Sequence, residues 1–183
     1  MKELIKSIFA GAMIGIACSI NLVVGGGYIG AVLFSIGLCI ICLQKYNLFT
    51  GKIGHIESIK QLPTYLLYIL GNLIGVTLIT LITNVDSTAL STAKLDLPLL
   101  LVFGKSIGCG FLMYIAVDTF KRKYTLIGVI GCVIAFILAG FEHSIADMFY
   151  FINSNLINID SLVFILVVIL GNALGSLLHK LLK

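Results

Sequence analysis

Charge is what this sequence has least of. Only 11% of its 183 residues are Asp, Glu, Lys or Arg, against about 25% in a soluble domain. Apolar residues make up 60%, and the mean hydropathy is +1.15. This excludes an ordinary water-soluble fold. It also excludes disorder, which needs low hydrophobicity and high charge. Proline is nearly absent, with only Pro63 and Pro98 against 19 glycines, as suits helices packed closely in lipid. Long polar stretches are missing, so any function sits inside a membrane or at its surface. The net charge of +4 is not gathered into a basic face, which argues against a nucleic-acid partner. Beyond the pair Cys39-x-x-Cys42, no His, Cys or carboxylate cluster has metal-ligand spacing, and no nucleophile–base pair stands out beyond Glu142 and Ser144. An enzyme, a metal and a cofactor are therefore not expected. Met1–Lys6 is short and the apolar run after it has no small-residue cleavage site, so no cleavable signal is expected.

All five cysteines, Cys18, Cys39, Cys42, Cys109 and Cys132, lie in apolar runs. Cys39-x-x-Cys42 has the spacing of a redox or metal pair, but on an apolar helix it reads as two small packing residues.

Six apolar runs remain, at Ile8–Val24, Tyr28–Leu43, Tyr65–Val85, Leu97–Val117, Tyr124–Phe141 and Ser161–Leu178. Each approaches the roughly 20 residues that cross the hydrocarbon. The reading is an all-α polytopic membrane protein, one transmembrane domain over residues 1–183. Six spans put both termini on one side. There fall Lys2, Lys6, Lys52, Lys60, Lys121, Arg122, Lys123, Lys180 and Lys183, against Lys94 alone on the other side. The asymmetry places both termini in the cytoplasm of a multi-pass cell-membrane protein. Tyr28, Tyr46, Tyr65, Tyr68, Tyr124 and Tyr150 lie near run ends and read as interface anchors. His55 and His179 read as solvated.

The chain also repeats itself. Gly11-x-x-Ile14-Gly15 matches Gly104-x-x-Ile107-Gly108 at an offset of 93, and Leu48–Gly51 falls opposite Phe141–Ser144 at the same offset. Leu70-Gly71-Asn72-x-x-Gly75 matches Leu170-Gly171-Asn172-x-x-Gly175 at an offset of 100. Three spans per half give the halves, about 8–85 and 97–178, opposite orientations: an inverted 3+3 repeat, with its site near the midplane. The Gly-x-x-x-Gly pairs fall in runs 1, 3, 4 and 6, where small residues allow close helix approach. Runs 2 and 5 instead end in Gln44-Lys45-Tyr46-Asn47 and Ala139-Gly140 and read as broken helices. Interruptions at corresponding places in two halves point to a transport site.

Ionisable residues at membrane depth are functional candidates, because burying them is costly. Here they are Glu142, His143 and Asp147. His143 titrates near neutrality and can relay a proton; the competing reading has it only bonding the broken helix. Glu142 reads as a partner for freed backbone groups or a neighbouring subunit. Asp147 reads equally as a solvated interfacial group. Asn72 and Asn172, beside glycines, are expected to hold the two breaks. Lys105 reads as snorkelling to the outer interface, and Asp118 as an interfacial cap.

Phe34-Ser35-Ile36-Gly37-Leu38, Leu48-Phe49-Thr50-Gly51 and Gly140-Phe141-Glu142-His143-Ser144-Ile145-Ala146-x-Met148-Phe149 resemble the formate–nitrite transporter family, as do Cys109-x-x-Leu112, Ala116-Val117 and the two Leu-Gly-Asn segments. The resemblance runs from about Ile8 to Leu178. It implies an aquaporin-like fold of six helices with the second and fifth broken, a homopentamer, and one pore per subunit. It implies passage of small monovalent anions of weak acids, such as formate, nitrite, hydrosulfide or lactate. By motif position His143 is the pore histidine and Thr50 its partner. Leu38, Phe49 and Phe136 form apolar constrictions, Lys94 is the vestibule lysine, and Asn172 supports the break near His143. Departures are the short chain, the shortened stretch after Thr50, the sequence Gln44–Asn47, Gly110 in place of a usual Asn, and Asp147 in place of a usual Asn.

An anion crosses a dry constriction only at high cost, a positive vestibule concentrates it, and a proton taken up near His143 gives a neutral acid that passes. The expected function is therefore a channel or channel-like transporter for such anions with a proton. The alternatives are a neutral-solute channel for water, ammonia or urea, a membrane enzyme, and an assembly partner.

Overall fold

A computed structural model describes residues 1–181; Lys183, counted above in the charge asymmetry, lies outside them. The described chain is all helical. In order come α1 (Lys2–Val23), α2 (Gly27–Gln44), α3 (Phe49–Lys52), α4 (Leu62–Thr80), α5 (Thr88–Leu95), α6 (Leu99–Lys123), α7 (Ile127–Leu138), α8 (Ser144–Asn153) and α9 (Ile159–Lys180). Local chemistry sets several boundaries. Gly25, Gly26 and Gly27 have φ of 75, 73 and 63° and turn the chain between α1 and α2, a conformation that other residues adopt only with strain. Pro63 sits in the first turn of α4, where its missing N–H costs nothing. Asn158 and Ser161 form a reciprocal capping box on α9.

Five helical segments, beginning at Lys2, Gly27, Ile59, Leu99 and Ile159, are long and apolar enough to cross a membrane. The fifth apolar run, expected as a span, forms only the 12-residue α7. At 1.5 Å per residue that is about 18 Å, short of the roughly 30 Å hydrocarbon. The chain leaves the helix at Gly140, whose φ is 64°, and resumes as the 10-residue α8. Likewise α2 stops at Lys45 in left-handed conformation, and only four residues follow as α3.

α1 packs on α4 and α6 on α9, with α2 and α7 packed together between the two pairs. α3 leans on α6 while α8 leans on α4. The helix pairs close through glycine. A Cβ on Gly11 would lie 2.1 Å from the Asn72 carbonyl oxygen, and one on Gly75 2.1 Å from that of Ile8. In the second pair a Cβ on Gly110 would lie 2.1 Å from the Asn172 carbonyl oxygen and one on Gly175 2.0 Å from that of Ile107. The counterpart of Gly11 in this packing is therefore Gly110, 99 residues on, rather than Gly104 at the expected offset of 93. Gly104 has nothing within 4 Å. Gly110→Ala should cost about 1–3 kcal/mol by overpacking, whereas Gly104→Ala, with open space at its Cβ inside a helix, should stabilise by about 0.5–1 kcal/mol. Thermal unfolding of the two variants in detergent, side by side, checks this.

The outward faces are apolar. Leu62, Leu66, Leu70, Ile74 and Leu78 form an exposed ladder on α4, and Leu162, Leu166, Leu170, Leu174 and Leu178 another on α9. At a spacing of four residues each ladder stays on one side of its helix, a surface suited to hydrocarbon. Of the tyrosines read as anchors, Tyr28 and Tyr124 are exposed, while Tyr65, Tyr68 and Tyr150 are buried. His55 and His179 are packed against Tyr114, with ring centroids 4.8 and 5.1 Å away. Asp118 pairs with Arg122 one turn on.

Candidate functional site

Two asparagines fasten the irregular segments to the long helices. Asn72 Oδ1 accepts the Phe49 N–H at 2.9 Å, and its Nδ2 donates to the carbonyls of Ser7 (2.8 Å) and Asn47 (2.9 Å). Asn172 Oδ1 accepts the Ser144 N–H at 2.9 Å, and its Nδ2 donates to the carbonyls of Ser106 and Glu142, both at 2.9 Å. Both side chains are wholly buried. Each amide thus takes up one orphan N–H at a helix start and two carbonyls, buried groups that need a partner.

The ends so held meet each other. Thr50 in α3 and His143 at the start of α8 are buried, and Thr50 Oγ1 lies 2.8 Å from His143 Nε2. His143 Nδ1 accepts the Ala146 N–H at 3.2 Å, capping α8. A ring that accepts at Nδ1 carries its proton on Nε2, so His143 donates to Thr50 and is neutral in this arrangement. The offset of 93 therefore joins two residues that touch. The Phe136 ring stacks on His143 with centroids 5.8 Å apart, and Phe34 meets Phe136 edge-on at 5.9 Å.

Cavities approach this contact from two ends. One, of about 350 Å³, is lined by Phe34, Phe136, His143, Glu142, Lys94 and Asp147 among others. The other, of about 250 Å³, is lined by Leu38, Leu48, Gly51, Val117, Lys45 and Lys52 among others. Phe34 and Leu38 are one turn apart on α2, so about 6 Å of helix separates the walls. Phe49 lines neither cavity; it is buried between Leu48, on the second, and Thr50, bonded to His143.

The first cavity is charged. Lys94 belongs to α5, a helix inside what reads in the sequence as a polar gap. Ser87 and Ser91 Oγ donate to the Tyr150 carbonyl at 2.8 and 3.0 Å and dock α5 on α8. Lys94 Nζ then pairs with Glu142 Oε2 and, at 2.9 Å, with Asp147 Oδ1. Asp147 is 1% exposed, which corrects the solvated reading. Lys105, expected to snorkel away, lines the same cavity 3.9 Å from Glu142 Oε1. The Phe141 ring lies over Gly108 and brings the loop to that helix; a Cβ there would sit 2.5 Å from it. Phe34, Lys105 and α5 are what sequence reasoning missed. Phe34 was visible only as part of a motif, and the serine spacing of α5 was the available signal for a docked helix.

The fold and site define a membrane transport protein: long apolar helices around a buried polar contact reached by two cavities. The sequence matches the family described as formate/nitrite transporter over residues 1–182. Two solved structures are similar to it. One is an FNT family ion channel, 23% identical with a TM-score of 0.87 over 97% of this chain and 86% of that one. The other is a pentameric formate channel with formate bound, 22% identical with a TM-score of 0.82 over 99% and 94%. No curated protein matches the sequence. The chain belongs to the formate/nitrite transporter family.

Proposed function

We propose that this chain passes small monovalent anions of weak acids, such as formate, nitrite or hydrosulfide, together with a proton, across a cell membrane. The observation that carries this reading is the Thr50–His143 contact standing alone between two cavities. The path runs from Lys94 past Phe34 and Phe136 to His143, and on past Phe49 and Leu38. An anion pays heavily to enter that apolar stretch; the neutral acid does not, and it can take over the Nε2–H that His143 gives to Thr50. Lys94 draws the anion in, Asn72 and Asn172 hold the two loop ends, and Glu142 anchors Lys94.

The same proposal includes the architecture. α7 with α8 serves as a sixth, broken span, and α2 with α3 as its counterpart in an inverted repeat of halves about 8–85 and 97–178. The equivalent bonds of Asn72 and Asn172 support this. Both termini face the cytoplasm, as the lysine distribution argues. The formate channel with a similar fold is pentameric, and we extend that assembly to this chain.

The test is uptake into liposomes of formate, nitrite, hydrosulfide and acetate at pH 5.5 and 7.5. Selective, acid-stimulated uptake is expected. Passage of water, ammonia or urea with no anion flux would move the chain to a neutral-solute channel. His143→Phe keeps an aromatic ring at the position but removes the donor. Loss of one hydrogen bond to a neutral acid is worth about 0.5–1.5 kcal/mol, so flux should fall about two- to tenfold. Unchanged flux at both pH values would show that the ring only packs.

A further inference from the structure

The vestibule holds one carboxylate more than its nearest lysine neutralises. Glu142 and Asp147 are 3% and 1% exposed and share the Lys94 ammonium. Lys105, the second cation, is half-exposed and approaches Glu142 rather than Asp147. Asp147 Oδ2 is buried with no hydrogen-bond partner, and the residue lines the cavity beside His143. Lys105 offsets part of the Glu142 charge, so the carboxylate left short of a partner is Asp147, and a proton on its bare Oδ2 relieves that buried charge. His143 is a poor place for a mobile proton. Its Nδ1 is occupied by the Ala146 N–H, so a second ring proton would break the cap of α8.

The other groups around Asp147 leave it in that role. The Cys18 thiol of α1 and the Cys109 thiol of α6 stand within electrostatic reach, both buried. Tyr150 lies one turn along α8 and lines the same cavity. α9 faces the cluster with the Asn172 amide and with Phe164, whose ring centre is 6.0 Å from Lys94 Nζ. The tyrosines of α4 lie toward Glu3, to which Tyr68 donates at 3.2 Å.

We propose that Asp147 holds the transported proton and delivers it to the permeating anion, a step that rests on the anion-transport reading. The Oδ2–H bond of Asp147 breaks and the proton bonds to an oxygen or sulfur of the anion. The neutral acid moves past Phe34 and Phe136, leaving the Asp147 carboxylate on Lys94. A hydronium ion from the solution outside, relayed through the cavity, then returns a proton to Oδ2 and is left as water.

The experiment compares the unsubstituted protein with Asp147→Asn in liposomes loaded with a pH dye, scoring formate uptake between pH 5 and 8. Asn keeps the shape and the bond to Lys94 but carries no proton. Formate uptake by the variant is expected to fall most at pH 5.5, so that the ratio of uptake at pH 5.5 to that at 7.5 falls at least about tenfold, the weight of one pKa unit. An unchanged pH profile with active transport overturns the proposal and leaves the transport reading standing. Absence of anion flux in the unsubstituted protein overturns the transport reading, and this proposal with it. Infrared spectroscopy of the purified unsubstituted protein serves if Asp147→Asn does not fold. A protonated-carboxyl band at neutral pH that persists in Glu142→Gln supports the assignment, and its absence overturns it.

Discussion

Asn172→Leu will cost this protein much of its stability, and flux will go with it. Leucine fits the volume but neither donates nor accepts. The Ser144 N–H and the carbonyls of Ser106 and Glu142 would then be buried without the partner they have now. Each unsatisfied buried group costs about 1–3 kcal/mol, so the sum is about 3–9 kcal/mol against a total stability of about 5–15 kcal/mol. Asn72→Leu strands the Phe49 N–H and the carbonyls of Ser7 and Asn47 in the same way. Thermal melting in detergent measures both. A melting temperature within a few degrees of the unsubstituted protein would mean that water or backbone movement satisfies those groups.

The second large effect is at Lys94. Lys94→Met removes the one ammonium that both Glu142 and Asp147 use. Deleting one partner of a buried ion cluster costs about 3–5 kcal/mol, because the remaining charge is uncompensated. Replacing all three by Lys94→Met, Glu142→Gln and Asp147→Asn removes the buried charges and leaves only the more exposed Lys105. The triple variant should recover most of the lost stability while losing anion uptake. A triple variant no more stable than Lys94→Met would show that the packing of the lysine stem, not its charge, holds α5 in place.

The sequence carries much of this site because its chemistry is rare. A buried histidine, two asparagines beside glycines and a Leu-Phe-Thr-Gly stretch stand out from an apolar background, and the structure puts Thr50, His143, Asn72 and Asn172 at one centre. The vestibule was harder to read. Helical spacing fixes which residues share a face but not what that face meets, so Lys105 looked free to reach the membrane surface until Gly140 and Phe141 bring Glu142 beside it. Asp147 follows a loop whose depth no pattern encodes. Glycine spacing showed that helices approach closely without showing the register, so Gly104 stood in for Gly110. The break of the fifth run at Gly140 was legible from the Ala139-Gly140 pair, and the positive φ there ends α7.

His143 has a further consequence as a directional donor. Accepting at Nδ1 and donating at Nε2, it presents a fixed dipole without a net charge. In the proposed pore a solute meeting that ring is sorted by whether it can accept a hydrogen bond, at a place shielded from dissolved ions. Attraction by exposed lysines such as Lys45 fades as salt shortens the Debye length from about 30 Å at 0.01 M to about 8 Å at 0.15 M. Capture of substrate at the mouth of the pore should therefore weaken with ionic strength, while the preference among solutes at its centre should hold.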